Sequence, residues 1–331
     1  MTRLAQLLHD RLVIRLLAAV GGLVLVGQLL IWYPRHAFAD PTADGPIDFL
    51  VYQRAAARAA QGLSPYWSCA HPRATPPNCL LYPPPFAAVV ALAGHVSVRA
   101  FQAGTYAILL LAFWAFAAAL ARLALERPRP PAVLVAAVAV LLTPGLAVTM
   151  SFGNLDLVVW ALVAWGLADE RALPLVVVAA AFKVWPAAPL AALIAARPAR
   201  LRPALLTTLA LLALTLGVLG PSAFVAWRRL AVPGLLAPTL VPGNISLVAW
   251  LARAGLDLPP PVLSALPLAA AAAAWWAARR WKPGARAIST GIAAMFVAPI
   301  CWWYYAPVLL IPIAIRLRRA AWLAPPASPA V

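Results

Sequence analysis

The sequence predicts an all-α, polytopic membrane protein built as one integral membrane domain over residues 1–331, and three observations carry that prediction. Apolar residues make up 64% of the chain and its mean hydropathy is +0.88, far above what a soluble domain of this length carries. They fall into runs of helix length separated by short stretches rich in proline and arginine. The net charge of +17 is scattered through those stretches as small basic clusters. A nucleic-acid binder gathers its charge on one solvated face, so membrane topology explains the charge and no nucleic-acid partner is expected. Only Lys183 and Lys282 are lysines among 26 basic residues, and alanine, arginine and proline abound, a bias expected of a genome rich in G and C such as an actinobacterium's.

The first apolar run, Leu12 to Trp32, is about 30 Å long as a helix, enough to cross a bilayer core. Arg3, Arg11 and Arg15 at its start place the N-terminus in the cytoplasm. The run is too long for a cleaved signal and no small-x-small pattern follows it, so it is read as a retained span. Residues 34–85 then form the longest polar stretch and the first extracytoplasmic loop. Within it Ile47 to Gln61 has apolar positions at helical spacing, with Arg54 and Arg58 able to snorkel, which predicts an interfacial helix. Cys69 and Cys79 share that loop, where a disulfide and two free thiols are both open; Cys301 has no evident partner.

The segment 86–98 is too short to cross comfortably and is either a short span or a re-entrant piece. Ala100 to Ala121 returns to the cytoplasmic Arg122, Arg127 and Arg129. Ala132 to Met150 rises to an outer turn at Gly153-Asn154, and Leu157 to Ala168 descends to Asp169-Glu170-Arg171. From Ala172 to Ala196 the run is interrupted by Lys183, Pro186 and Pro189 and flanked by charge at both ends. That pattern predicts a hairpin of two short half-helices with Lys183 near its outer apex, because a single span would put Arg197, Arg200 and Arg202 outside. Pro203 to Gly220 leads to a second extracytoplasmic loop at 221–244, a short apolar piece and an inward helix to the basic 279–286 segment. A final hairpin turns at Trp302 to Tyr305, read as an interfacial aromatic belt.

Nine carboxylates are available. The topology leaves Asp40, Asp44, Asp48, Asp156 and, less directly, Asp257 outside. Asp48 opens the interfacial helix one turn before Tyr52, so both can face one cleft; a first-turn aspartate also stabilises a helix by about 0.3–1 kcal/mol, with no chemistry implied. A lone lysine near a helix end often snorkels and then means nothing, but Lys183 sits far from either cytoplasmic flank, where a charge is costly and functional by default, and it suits a phosphate as a point charge. Asn154 and Asn244, taken alone, read as caps or turn formers. No HExxH or CxxC motif, Walker loop or dinucleotide fingerprint is present and the histidines are scattered, so neither a metal nor a cofactor is expected.

The ordered motifs Asp48-Phe-Leu-Val-Tyr52, Gly62-Leu-Ser-Pro-Tyr66, Tyr82-Pro-Pro-Pro85, Phe152-Gly-Asn154, Phe182-Lys-Val-Trp-Pro186, Gly243-Asn-Ile-Ser246 and Trp303 resemble the actinobacterial polyprenyl-phosphate-mannose-dependent mannosyltransferases, the family 87 glycosyltransferases of GT-C fold. Gly153-Asn154 stands where that family more usually has Gly-Gln, and Tyr304-Tyr305 where a histidine often follows the tryptophan. The resemblance implies a GT-C fold with short broken helices and an active site on the extracytoplasmic face of the cell membrane. It implies inverting transfer of mannose or a related sugar, usually without a metal, from a polyprenyl phosphate to a cell-envelope glycolipid or lipoglycan, among membrane lipids. Asp48 would be the general base and Lys183 would bind the donor phosphate. Tyr52, Tyr66, Tyr82, Asn154, Asp156, Asn244, Trp303 and Tyr304 would line the substrate cavity. Two other readings stay open, a transporter or flippase of lipid-linked sugars and a non-catalytic assembly subunit. The enzyme reading requires Asp48 and Lys183 to converge on one outward-facing cavity open to lipid.

Overall fold

The computed structural model describes residues 11–38, 47–70, 79–125, 128–237, 240 and 242–322; Asp10, Asp40, Asp44, Glu126 and Arg127 lie outside them. The fold is all-α, and the one strand-like feature among the described residues is an isolated antiparallel bridge between Asn244 and Trp302. Helix α1, Arg11–Gly27, continues without a break through a π segment, Gln28–Trp32, to Tyr33–Ala37. Next come α2 (Ile47–Ala60), α3 (Pro84–Ala91), α4 (Val98–Ala124), α5 (Pro130–Leu141) and α6 (Leu146–Ser151). They are followed by α7 (Asp156–Ala168), α8 (Leu173–Phe182), α9 (Ala187–Ala196) and α10 (Leu201–Leu219). Helix α11 starts at Ser222–Ala226 and runs through a second π segment to Val232–Leu236. The chain closes with α12 (Leu247–Arg253), α13 (Pro260–Ala277), α14 (Pro283–Val297), a 3₁₀ segment (Trp303–Leu309) and α15 (Leu310–Trp322).

Proline explains many of these starts. It stands in the first turn of α3, α5, α8, α13 and α14, where its missing N–H costs nothing and its fixed φ suits a helix. Serine does the same work by side chain, Ser97 accepting from Ala100 N at 3.3 Å and Ser246 from Ala249 N at 3.0 Å. Among the described residues three helical segments are long and apolar enough to cross a membrane, Val98–Ala124, Pro198–Leu219 and Pro260–Ala277. By contrast α5, α7, α8 and α9 have 10 to 13 residues each. They are only about 15–20 Å long, so they stop short within a frame of longer helices.

The core gathers around α4 and α7, with Tyr106, Phe113, Phe116, Leu157 and Trp160 buried. Small residues set the closest approaches, as expected where lipid is as apolar as the side chains and close packing must drive association. A Cβ on Gly166 of α7 would lie 2.1 Å from Val176 of α8, and one on Gly291 of α14 would lie 2.9 Å from Pro189 of α9.

The expected hairpin at 172–196 is present as α8 and α9, broken at Lys183. Both its flanks lie at one end of the bundle, because Glu170 before α8 pairs with Arg197 and, at 3.0 Å, with Arg200 after α9. Arg122 at the end of α4 joins them through Asp169 at 3.7 Å. The 86–98 segment contributes α3, about 12 Å long and buried against α2 and α10, far too short to span. The 221–244 loop differs from a plain loop by carrying α11, whose Trp227 Nε1 donates to Leu81 O at 3.2 Å.

Candidate active site

At the end of the bundle opposite the Glu170 pairs, α2 lies across the start of α7. Phe49 N donates to Phe152 O at 3.3 Å, joining the two backbones. Gly153 permits that approach in two ways: its φ is +67°, and a Cβ there would sit 2.8 Å from Phe49 Cβ. The turn delivers Asn154, whose Nδ2 donates to Asp48 Oδ2 at 2.8 Å while its Oδ1 accepts from Asp156 N at 2.8 Å. One buried amide therefore caps α7 and holds the Asp48 carboxylate.

Lys183 reaches the same place from the α8–α9 turn. Its Nζ pairs with the Asp156 carboxylate, which is 1% exposed, and donates to Tyr305 OH at 2.9 Å. The ammonium also stands 4.6 Å from the Tyr305 ring centre and 5.3 Å from that of Tyr82, within cation–π range. Tyr82 is fixed from several sides. Its hydroxyl bonds that of Tyr52 at 2.9 Å, and its carbonyl accepts from Tyr66 OH at 3.1 Å. Cys69 and Cys79 are joined in a disulfide with Cα atoms 4.8 Å apart, tying down the segment that leads to it.

Burial, then the like charge of Asp156, push the Asp48 carboxyl up to about 6, against the opposing pull of Lys183 and the Asn154 hydrogen bond. Burial pushes the Tyr52 and Tyr82 phenols well above their ordinary range, so both keep their protons as donors. The cluster thus holds a carboxylate that ionises just below neutrality, an ammonium and neutral hydroxyls within one packed constellation. Such a set can take a proton and stabilise an anion side by side.

Of the residues singled out in the sequence, Asp48, Tyr52, Tyr66, Tyr82, Asn154, Asp156 and Lys183 come together here. Tyr304, 8% exposed, lies against Asn154, with Thr149 Oγ1 donating to its carbonyl at 3.4 Å. Gly145, at φ +88°, passes so close that a Cβ would lie 2.3 Å from Tyr304 Cα. Trp303 is 40% exposed, its ring edge-on to that of Tyr304 at 6.3 Å, whereas Tyr304 and Tyr305 are buried in the site. Tyr305 is the residue that sequence reasoning missed; its signal was a hydroxyl within an aromatic run opposite an expected lysine. Asn244 is buried and engages backbone, donating to Pro299 O at 2.8 Å and accepting from Cys301 N at 2.9 Å. It braces the hairpin that carries the two tyrosines. Asp257 is exposed in the turn between α12 and α13. A cavity of about 140 Å³ lies between the 62–65 turn, the end of α10 and α11, apart from the Asp48–Lys183 cluster.

A family model described as glycosyltransferase family 87 matches residues 80–311. The chain belongs to glycosyltransferase family 87. Comparisons with curated proteins and with solved structures give no match. The matched segment of this family 87 glycosyltransferase includes Tyr82, Asn154, Asp156, Lys183, Asn244, Trp303 and Tyr304. Asp48, Tyr52 and Tyr66 precede it, so their membership of the site rests on the contacts above.

Proposed function

We propose that this family 87 glycosyltransferase is a multi-pass cell-membrane enzyme of GT-C type. It transfers mannose or a related sugar from a polyprenyl phosphate to a cell-envelope glycolipid or lipoglycan on the extracytoplasmic face. The observation that carries the reading is the chain from the Asp48 carboxylate through Asn154 and Asp156 to the Lys183 ammonium. It brings a carboxylate and a cation from distant parts of the sequence to one end of the bundle.

The chemistry follows from those two groups. Asp48 accepts the proton of the acceptor hydroxyl as its oxygen attacks the anomeric carbon. The bond from that carbon to the phosphate oxygen breaks on the opposite face, so the configuration inverts. Lys183 neutralises the charge gathering on the departing phosphate, where a preorganised cation in a poorly hydrated site is most effective. Tyr52 and Tyr82, held protonated, are placed to bind sugar hydroxyls. The hydrophobic frame of α4, α10 and α13 suits a donor and an acceptor that both arrive through the lipid phase.

The reading is tested with membranes containing the protein, supplied with an envelope lipid extract and radiolabelled polyprenyl-phosphate mannose, arabinose or glucose in turn. Label passing from the mannose donor into a glycolipid, with inverted anomeric configuration, is the expected result. Transfer from none of the three donors would favour a transporter or an assembly subunit instead.

A further inference from the structure

We propose that Asp156 is the positioning residue of this site: its buried carboxylate holds the Lys183 ammonium in reserve, and the donor phosphate must draw Lys183 away from it. The inference deepens the reading above and rests on its roles for Asp48 and Lys183.

Three features of the cluster support it. The Lys183 side chain is only 16% exposed and that of Asp156 only 1%, so each is the other's counter-charge in a poorly hydrated place. A buried lysine deprived of an anion loses its proton or swings out to water. Second, Asp156 Oδ2 is buried with no hydrogen-bond partner among the described residues. A carboxylate with a purely structural role is ordinarily satisfied on both oxygens, whereas this one is held on one side by charge. Third, the Asn154 amide bonds the Asp48 carboxylate and the Asp156 backbone N–H together, so whatever fixes Asp156 also fixes the base.

The consequence is a competition between two anions for one ammonium. Lys183 has three N–H donors and can keep its bond to Tyr305 while turning from Asp156 to a phosphate. While the phosphate is still esterified to the sugar, Asp156 offsets part of the attraction and keeps donor binding modest. As the bond to carbon breaks the phosphate gains charge and the competition tips toward it. The ammonium then contributes more in the transition state than in the ground state, the condition for raising the rate rather than only the affinity.

Asp156 also faces the base. The charged and titratable groups around Asp48 are Asp156 from α7, Lys183 from the α8–α9 turn, Tyr82 before α3, Tyr304 and Tyr305 from the 3₁₀ segment, and Tyr52 on its own helix. From α4 the Phe101 ring packs against Phe49, and Arg99 in that helix's first turn is exposed. Deleting the Asp156 charge removes a like charge from beside Asp48, so the base should ionise at lower pH.

The test uses the full chain in lipid nanodiscs, with binding of a long-chain polyprenyl phosphate and sugar-transfer kinetics across pH. Asp156→Asn, an isosteric change, is expected to bind the polyprenyl phosphate about fivefold or more tighter, while kcat falls about tenfold or more and KM falls with it. The acid limb of its kcat/KM profile should move below the wild-type position near pH 6. Lys183→Ala should lose phosphate binding. Binding equal to or weaker than wild type in Asp156→Asn, or an unmoved acid limb, overturns the proposal, because loss of a merely structural ion pair would lower the folded yield without either change. If the Asn variant does not fold, Asp156→Glu carries the test: the retained charge predicts an unshifted limb with reduced kcat, and a shifted limb or an unchanged kcat overturns it. A wild type that binds polyprenyl phosphate in this pattern yet transfers no sugar would sink the proposed transfer and leave the ion-pair inference standing. A wild type that binds none sinks both.

Discussion

Asn154 shows what a single residue does here and why it was hard to read. Taken alone, an asparagine after glycine is a turn former, and Asn154 is one, accepting from Asp156 N at the start of α7. The same side chain holds Asp48, which no local pattern could reveal because its partner lies 106 residues away. The pH dependence of activity follows from that carboxylate. With its ionisation raised to about 6, the carboxylate in its proposed role as base would act above pH 6 and be lost as pH falls through that value, so kcat/KM should drop tenfold per unit below it. The same shift acts on stability with the opposite sense. The folded chain holds this proton to about pH 6 and the unfolded chain only to about 3.8, so stability is lost as pH rises from about 3.8 to about 6 and the full cost stands above that. Asp48→Asn is therefore expected to keep or raise the melting temperature in detergent at pH 7.5 while abolishing transfer; a large drop would mean that the carboxylate serves the fold. Gly153→Ala should do the reverse of a silent change. It adds left-handed strain of about 1–2 kcal/mol and a clash with Phe49, displacing Asn154 and lowering activity more than expression.

Among the elements, the helix Ile47–Ala60 and the α8–α9 hairpin were legible in the sequence. The hairpin is readable because charge brackets it: Glu170 and Arg197 must share one side of the membrane, and the structure pairs them. The 86–98 segment was not, because its apolar run alone cannot distinguish a short span from a buried helix, and α3 proves to be eight residues packed under α2. The Asn244 brace was equally hidden, since its partners are backbone groups of a distant hairpin. These two kinds of contact should differ in worth. The Glu170 carboxylate is 58% exposed, so Glu170→Ala should cost at most about 1 kcal/mol. Asn244 is fully buried, and Asn244→Ala strands backbone groups at about 1–3 kcal/mol each. Thermal unfolding in detergent of the two variants should rank them in that order.

For the whole molecule, composition and run length together made the class legible, because a chain so apolar must satisfy its backbone internally in a bilayer and unbroken runs of helix length do so as helices. The number of crossings was harder to read, since several inner helices are shorter than a bilayer is thick. With α3 not crossing, alternation from α4 onward under the proposed topology would put Arg122, Arg129, Glu170, Arg197 and Arg200 on one side and Asn154 and Lys183 on the other, with Asp48 bonded to Asn154 there. Single cysteines at the exposed positions Leu63 and Arg129 test this directly. An impermeant maleimide should label Leu63→Cys in intact cells and Arg129→Cys only after permeabilisation, and the opposite pattern would invert the site.

The central claim, that a carboxylate at the start of α2 activates an acceptor for sugar transfer, is tested most directly by one comparison. Membranes with wild type or Asp48→Asn at matched expression are given radiolabelled polyprenyl-phosphate mannose and envelope lipid at pH 7.5. The account predicts label in a glycolipid with wild type and a loss of about 10²-fold or more in the variant. Transfer by Asp48→Asn at the wild-type rate would contradict it and move the base elsewhere in the cluster.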